Sequence, residues 1–307
     1  MDCREQRYKI YTPDTHPKIV LLHIIKPITK MKRTLFLTLI LTIIVLTGCN
    51  KRNAPFTTLS MEGKRSFYVK TNDPYLPEGL NPFGVENIYT LVWPTKGMIS
   101  KEAEKELIMQ VFGDSTAHSA NEAAQRWLNN LWLFEDTKAL EAKTVDSVSG
   151  ESPYTYARLN NSIEKNENLV TFINTTEIFL AGAAHGSYIV EYLTYDRKTK
   201  RVVHLNDLVD TSKLGEIVVR AIEDLVVNKD VQECLFDEYL NAEKFPLTDN
   251  FFIDSTRSTI TLVYQQYDIA PYACGLPSVV MPIFWLSKHT ELTPYAKKLF
   301  GKGSYLE

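Results

Sequence analysis

The chain is poor in the residue patterns that build the most easily recognised functional sites. It has only four cysteines in 307 residues, at positions 3, 49, 234 and 274. None forms a C-x-x-C pair or sits in a Cys/His cluster with zinc spacing, so a zinc ribbon or finger is excluded and no cofactor or metal is expected. There is no G-x-G-x-x-G, no P-loop, no G-x-S-x-G and no H-E-x-x-H. Glycine (13) and proline (14) are too few for a collagenous or low-complexity chain. The longest apolar run, Leu35 to Leu46, is 12 residues. At about 1.5 Å per residue it falls short of the ~30 Å hydrocarbon core of a bilayer.

What is present is an ordinary globular balance, 44% hydrophobic and 23% charged. The overall charge of -3 conceals an asymmetry. After residue 48 there are 26 Lys and Arg against 34 Asp and Glu, a balance of -8. An acidic body argues against nucleic acid as a partner, because phosphate binding needs a positive surface. It suits a basic protein partner.

The N-terminal region has the organisation of a secretory signal. Lys30-Met31-Lys32-Arg33 is a basic head, Leu35–Leu46 an apolar centre, and Thr47-Gly48-Cys49 a small-residue end. Leu46-Thr47-Gly48-Cys49 resembles the bacterial lipobox, L-x-G-C. That resemblance implies cleavage before Cys49 and lipidation of its thiol, and several acyl chains together give stable anchoring. Met31 begins a complete signal, so residues 1–30 are read as an over-extended start and 31–48 as the signal peptide. Residues 49–85 are read as a tether and turn-rich loop, 86–164 as a small α+β domain, and 165–307 as a second α+β domain. Cys234 and Cys274 are left either as a disulfide, which an oxidising envelope permits, or as two buried thiols.

The fold class follows from the change in period along the chain. Ile88–Trp93 is a candidate strand closed by Pro94. Ser100 is an N-cap, Ala103, Leu107, Ile108, Val111 and Phe112 share a helical face, and Gly113 stops the helix. A second helix is predicted over Ala120–Phe134. From Tyr154 the period becomes two, giving strands at Thr155–Ser162, Leu169–Leu180, Ser187–Asp196 and Arg201–Leu205. A helix over Leu214–Val227 follows, and the stretch Cys234–Glu243 is read as its extension after a break. Strands at Phe251–Asp254, Thr259–Tyr264 and Val279–Trp285 come next, with a short helix opened by Thr293-Pro294. Hairpins without βαβ alternation make an α+β class with antiparallel sheets and packed helices.

Two concentrations of side chains carry chemistry. Gly182-Ala183-Ala184-His185-Gly186 places a histidine in a small-residue loop. A catalytic role would need an orienting carboxylate, for which Asp196 and Asp207 are the candidates, with His204 nearby in sequence. A structural role would bond the imidazole to its own loop. Tyr264, Tyr267, Asp268 and Tyr272 form the second concentration. Tyrosine beside a carboxylate suits carbohydrate or protein recognition, whereas a turning strand would bury the same rings.

The two concentrations also carry a family resemblance. Gly182–Gly186, Tyr195-Asp196, Val203–Leu208, Phe245–Thr248, Tyr264–Gly275 and Val279–Pro282 resemble, in matching order, the signature of RsiV-like C-terminal domains. Residues 86–150 are similar to the smaller domain that precedes it in RsiV and in the peptidoglycan deacetylase PdaC. The resemblance implies an envelope location and a binding-type domain. In RsiV the ligand is lysozyme, which makes lysozyme-type muramidases the partner to test. The rival expectation is an enzyme acting on cell-wall glycan or peptide, and a third is a structural envelope lipoprotein.

Overall fold

The computed structural model describes residues 55–71, 83–130, 139–145, 148, 154–166, 168–241, 243–254, 256 and 258–301. Cys49, the signal segment and residues 1–30 lie outside the described residues. Phe56–Glu307 forms one compact unit. Its fold is α+β, and the described residues form a seven-stranded and a three-stranded sheet. Among the described residues no helix is long and apolar enough to cross a membrane.

The large sheet contains β1 (Thr58–Thr71), β2 (Phe83–Pro94), β3 (Ala139–Val145), β4 (Tyr154–Asn166), β5 (Leu169–Phe179), β6 (Ser187–Asp196) and β7 (Arg201–Val203). Their order is β3-β1-β2-β4-β5-β6-β7. All neighbours are antiparallel except β2 and β4, which run parallel from Gly84↔Tyr154 to Thr90↔Asn160. Between them the chain makes α1 (Lys101–Phe112), α2 (Ala120–Asn129) and β3, a crossover long enough for parallel pairing.

Two assignments change here. Thr58–Thr71 falls in the stretch read as a tether, yet it is a full strand between β3 and β2. Its charged residues Glu62, Lys64 and Lys70 share the face opposite Met61, Phe67 and Val69, and Arg65 lies over the Phe67 ring. Met61, Phe67 and Val69 are buried, and Lys64 pairs with Glu86 of β2 at 2.8 Å. The boundary placed at 164/165 falls inside β4, and a single sheet contains strands from both sides of it.

The helices form where their caps and stripes predict. Ser100 accepts from the Ala103 N–H at 3.2 Å, and Gly113 closes α1 at φ 67°. Ser119 accepts from the Glu122 N–H to open α2. That helix stops at Asn129 rather than Phe134, because Asn130 is already extended at ψ 129°. Ala103, Leu107, Ile108, Ala123, Ala124 and Trp127 bury one face of the pair against Tyr89, Leu91, Leu159, Phe172 and Leu193 of the sheet. Removing this apolar area from water stabilises the layer at about 25 cal/mol per Å².

The second core gathers α3 (Leu214–Asp224), the small sheet β8 (Phe251–Asp254), β9 (Thr259–Val263) and β10 (Ser278–Pro282), α5 (Ile283–His289) and α6 (Pro294–Phe300). Strand β10 ends at Pro282 and not Trp285. Proline has no N–H for the ladder, and Ile283–His289 turns into a helix instead. Helix α4 (Lys229–Cys234) follows α3 after a short turn, and beyond Cys234 the predicted extension is, among the described residues, a 3₁₀ turn at Asp237–Leu240. The buried Asn228 stitches the layers together. It donates to the Ala221 and Val280 carbonyls and accepts from the Val280 N–H.

Candidate functional site

The β5–β6 hairpin and the loop between β9 and β10 meet at one surface. The hairpin tip contains Gly182 at φ 82° and His185; the loop contains Tyr267, Asp268 and Tyr272. His185 stacks on Tyr272 with ring centroids 3.9 Å apart and planes inclined by 24°. Tyr272 lies 6.1 Å from Tyr267 at 32°. Three of the residues singled out from sequence, from segments about 80 positions apart, are therefore one ladder of rings. His185 and Tyr267 are exposed and Tyr272 is half-buried.

Tyr264 is not part of this surface. It is 1% exposed, packs edge-to-face on Phe245, and among the described residues its hydroxyl has no hydrogen-bond partner. Burial, with a smaller contribution from the Asp268 charge, pushes its hydroxyl pKa well above the usual value. Here the core reading of the tyrosine strand holds, while Tyr267 and Tyr272 turn outward.

The loop is held by three devices. Asp268 Oδ2 accepts from the Gln265 N–H at 2.7 Å, and the Asp268 N–H donates to the Gln265 carbonyl, which closes a tight turn over Tyr267. Cys234 and Cys274 are joined by a disulfide, with Cα atoms 6.3 Å apart, tying the loop to the end of α4. The third device was invisible in the sequence. Strand β7 covers only Thr194–Asp196 of β6, so among the described residues no strand pairs with the edge from Tyr188 to Tyr192. Side-chain amides take the place of one. Gln266 accepts from the Tyr188 N–H, Gln265 from Val190 and Asn250 from Tyr192. Gln265 and Asn250 also donate to the Val190 carbonyl, each at 2.8 Å. Buried backbone groups need such partners, and an open strand edge invites pairing with another chain.

His185 has no carboxylate partner among the described residues. Its Nδ1 is 3.0 Å from the Gly186 carbonyl, within its own loop. Asp196 lies at the far end of β6, roughly 30 Å away at 3.3 Å per strand residue. There it accepts from the Lys198 N–H, the Thr199 hydroxyl and the Tyr295 hydroxyl. Asp207 is engaged at that end too. It takes the His204 N–H at 2.9 Å and pairs with Arg201 at 2.6 Å. Burial opposes ionisation of Asp207, but the Arg201 and His204 bonds outweigh it and lower its pKa. His204 faces Glu106 and Asp249, at 3.3 and 3.7 Å, partners that lie too far off in the chain to be read from spacing.

An open depression of about 640 Å³ lies at the α1–α2 corner, lined by Gly113, Asp114, Arg126 and Trp127 among others. It shares no residue with the aromatic surface. Its charged groups are committed to each other, with Arg126 on Asp114 at 3.0 Å and also on Glu122. Among the described residues no cluster of His, Cys, Asp and Glu has the form of a metal site.

Comparison with known proteins places these features in context. A family described as "Protein of unknown function (DUF3298)" matches residues 206–283, which include the aromatic loop but not the His185 hairpin. A member of the same family from Bacteroides fragilis NCTC 9343 has a similar crystal structure. It is 14% identical, with a TM-score of 0.53, and the match covers 80% of this chain and 98% of that one. A DUF3298 family protein from Pseudomonas aeruginosa PAO1 matches over the same shares at 16% identity and a TM-score of 0.46. No curated protein matches the chain.

Proposed function

We propose that this chain is a lipid-anchored cell-envelope protein whose folded part binds a ligand without catalysing a reaction. On this reading it is an RsiV-like, PdaC-like binding domain, with lysozyme-type muramidases as the ligand. The observation that carries it is the ladder His185–Tyr272–Tyr267 on a loop fixed by a disulfide and by amide bonds. Rigid aromatic rings with a polar tip supply contact area at low entropic cost, which is why they concentrate at interfaces. The acidic balance of -8 after residue 48 suits a basic ligand such as a muramidase. The anchor rests on Leu46-Thr47-Gly48-Cys49 and the lead that precedes it.

The non-catalytic part of the reading rests on His185. One face of its ring is against Tyr272 and Nδ1 is against its own loop, and the carboxylates of the hydrolase alternative are at the opposite end of β6. The reading is tested by calorimetry of the full chain in detergent micelles with a c-type lysozyme. Binding at low salt that weakens as salt rises is expected, since exposed charges are screened. No heat at low salt removes muramidases as the ligand. Hydrolysis of envelope glycan by the wild type, lost in a folded His185→Ala variant, overturns the non-catalytic reading.

A further inference from the structure

We infer that Tyr267, Tyr272 and Asp268 form a receptor for an arginine side chain of a basic protein. The inference deepens the binding function proposed above and rests on it for the existence of such a partner. Four observations converge. First, Tyr267 has φ 71°, in the left-handed region that bulky side chains avoid, while the residue is 56% exposed. The backbone cost is not offset by burying the ring, so the fold holds this tyrosine outward at its own expense. Second, the ring belongs to a ladder, with Tyr272 behind it and His185 beyond, so its orientation is supported rather than free.

Third, the next residue is an exposed carboxylate. Asp268 Oδ2 accepts one backbone bond, from Gln265, which fixes its position. A carboxylate has about four acceptor sites, so capacity for a donor remains. Among the described residues no Lys or Arg pairs with it. Fourth, the body carries 34 acidic against 26 basic residues after position 48, and that field favours cations over neutral ligands.

These features match guanidinium better than ammonium or a sugar. Guanidinium is planar and weakly hydrated, stacks on tyrosine faces, and offers a fork of N–H donors to a carboxylate. An ammonium group is a compact, strongly hydrated charge that loses more on leaving water. A sugar gains nothing from the acidic field.

The test uses the full chain in detergent micelles, titrated in parallel with hexa-arginine amide, hexa-lysine amide, choline and chitotetraose. Hexa-arginine is expected to bind most tightly. Asp268→Asn keeps an acceptor for the Gln265 N–H but removes the charge. It and Tyr267→Ala should each weaken hexa-arginine by about two- to fivefold, the range for a cation over an exposed ring or in an exposed ion pair. Tyr267→Gly should weaken binding while the thermal midpoint holds or rises, because glycine accepts the left-handed backbone. A structural role alone would lower that midpoint. Equal affinity for hexa-lysine or choline, tighter binding of chitotetraose, or unchanged binding in Asp268→Asn and Tyr267→Ala each overturns the inference. Lysozyme is titrated separately. If it fails while hexa-arginine binds, the muramidase is removed and the receptor stands. If lysozyme binds all variants alike and hexa-arginine does not bind, the receptor is wrong and the binding function stands.

Discussion

Gln265 pairs with Val190 as a neighbouring strand would. Its Nε2 donates to the Val190 carbonyl at 2.8 Å and its Oε1 accepts from the Val190 N–H at 3.0 Å, across 75 positions of sequence. The three residues of β7 are too few to cover β6, and side-chain amides complete the edge. The same residue begins the turn that presents Tyr267. One residue therefore serves both features, its side chain at the sheet edge and its backbone N–H and carbonyl in the turn.

Gln265→Ala should lower stability by about 1–3 kcal/mol, the range for leaving a buried backbone group unpaired. The Val190 carbonyl keeps Asn250, but its N–H loses its partner. Urea denaturation with an unchanged m-value measures the effect. A midpoint equal to wild type would show that water replaces the amide without cost.

The disulfide closes a loop across 40 positions. In the chain-entropy account such a loop restricts the unfolded state by about 3–4 kcal/mol, less any native strain. Cys234→Ser with Cys274→Ser should lower the thermal midpoint and loosen the segment that carries Tyr272. Peptide mapping without reductant should recover the two cysteines in one linked species. Two free thiols in protein from an oxidising compartment would contradict the pairing.

Asp114 should be the most acid-resistant carboxylate of the α1–α2 corner. The Thr116 hydroxyl, then the Thr116 N–H, with smaller help from Arg126 and the Ala117 N–H, hold its pKa down to about 2. A pKa lowered on folding stabilises the native state above the ordinary carboxylate range. That contribution is lost as pH falls from about 4 towards 2. Carbon-detected NMR titration reads the value directly. Asp114→Asn should flatten the acid limb of stability in that window and leave the pH-dependence above pH 6 unchanged, at a stability lowered by the lost contribution.

Cys49→Ser should abolish incorporation of a palmitate analogue and release the protein from membranes. The motivation is the lipobox-like end of the signal segment. Wild-type protein that takes up no label through Cys49 would remove the anchor from the proposed function.

Much of the fold was legible because local signals agreed with the packing. Ser100, Gly113 and the stripe from Ala103 to Phe112 state where α1 starts, stops and faces, and the structure keeps all three. Alternation placed β5 and β6 to within a residue. Strand β1 was missed because its charged residues alternate with buried ones in a segment that begins polar. The last strand was overrun because Ile283-Phe284-Trp285 suits a strand as well as a buried helix turn, and only Pro282 separates the two. The parallel pairing of β2 and β4 has no local signature at all.

Of the site, the sequence determined the residue types and their two segments: a histidine among small residues, and tyrosines beside Asp268. It could not determine which tyrosines face water. Tyr264 and Tyr267 differ by three positions, and the turn between them sends one ring into the core and the other out. Nor could it join His185 to Tyr272, give Gln265 to Val190, or separate His185 from Asp196. Local order reflects short-range sterics, capping and periodicity, which are written in neighbouring residues. Contacts between distant segments follow from how the sheets close on one another, and only the folded chain decides that.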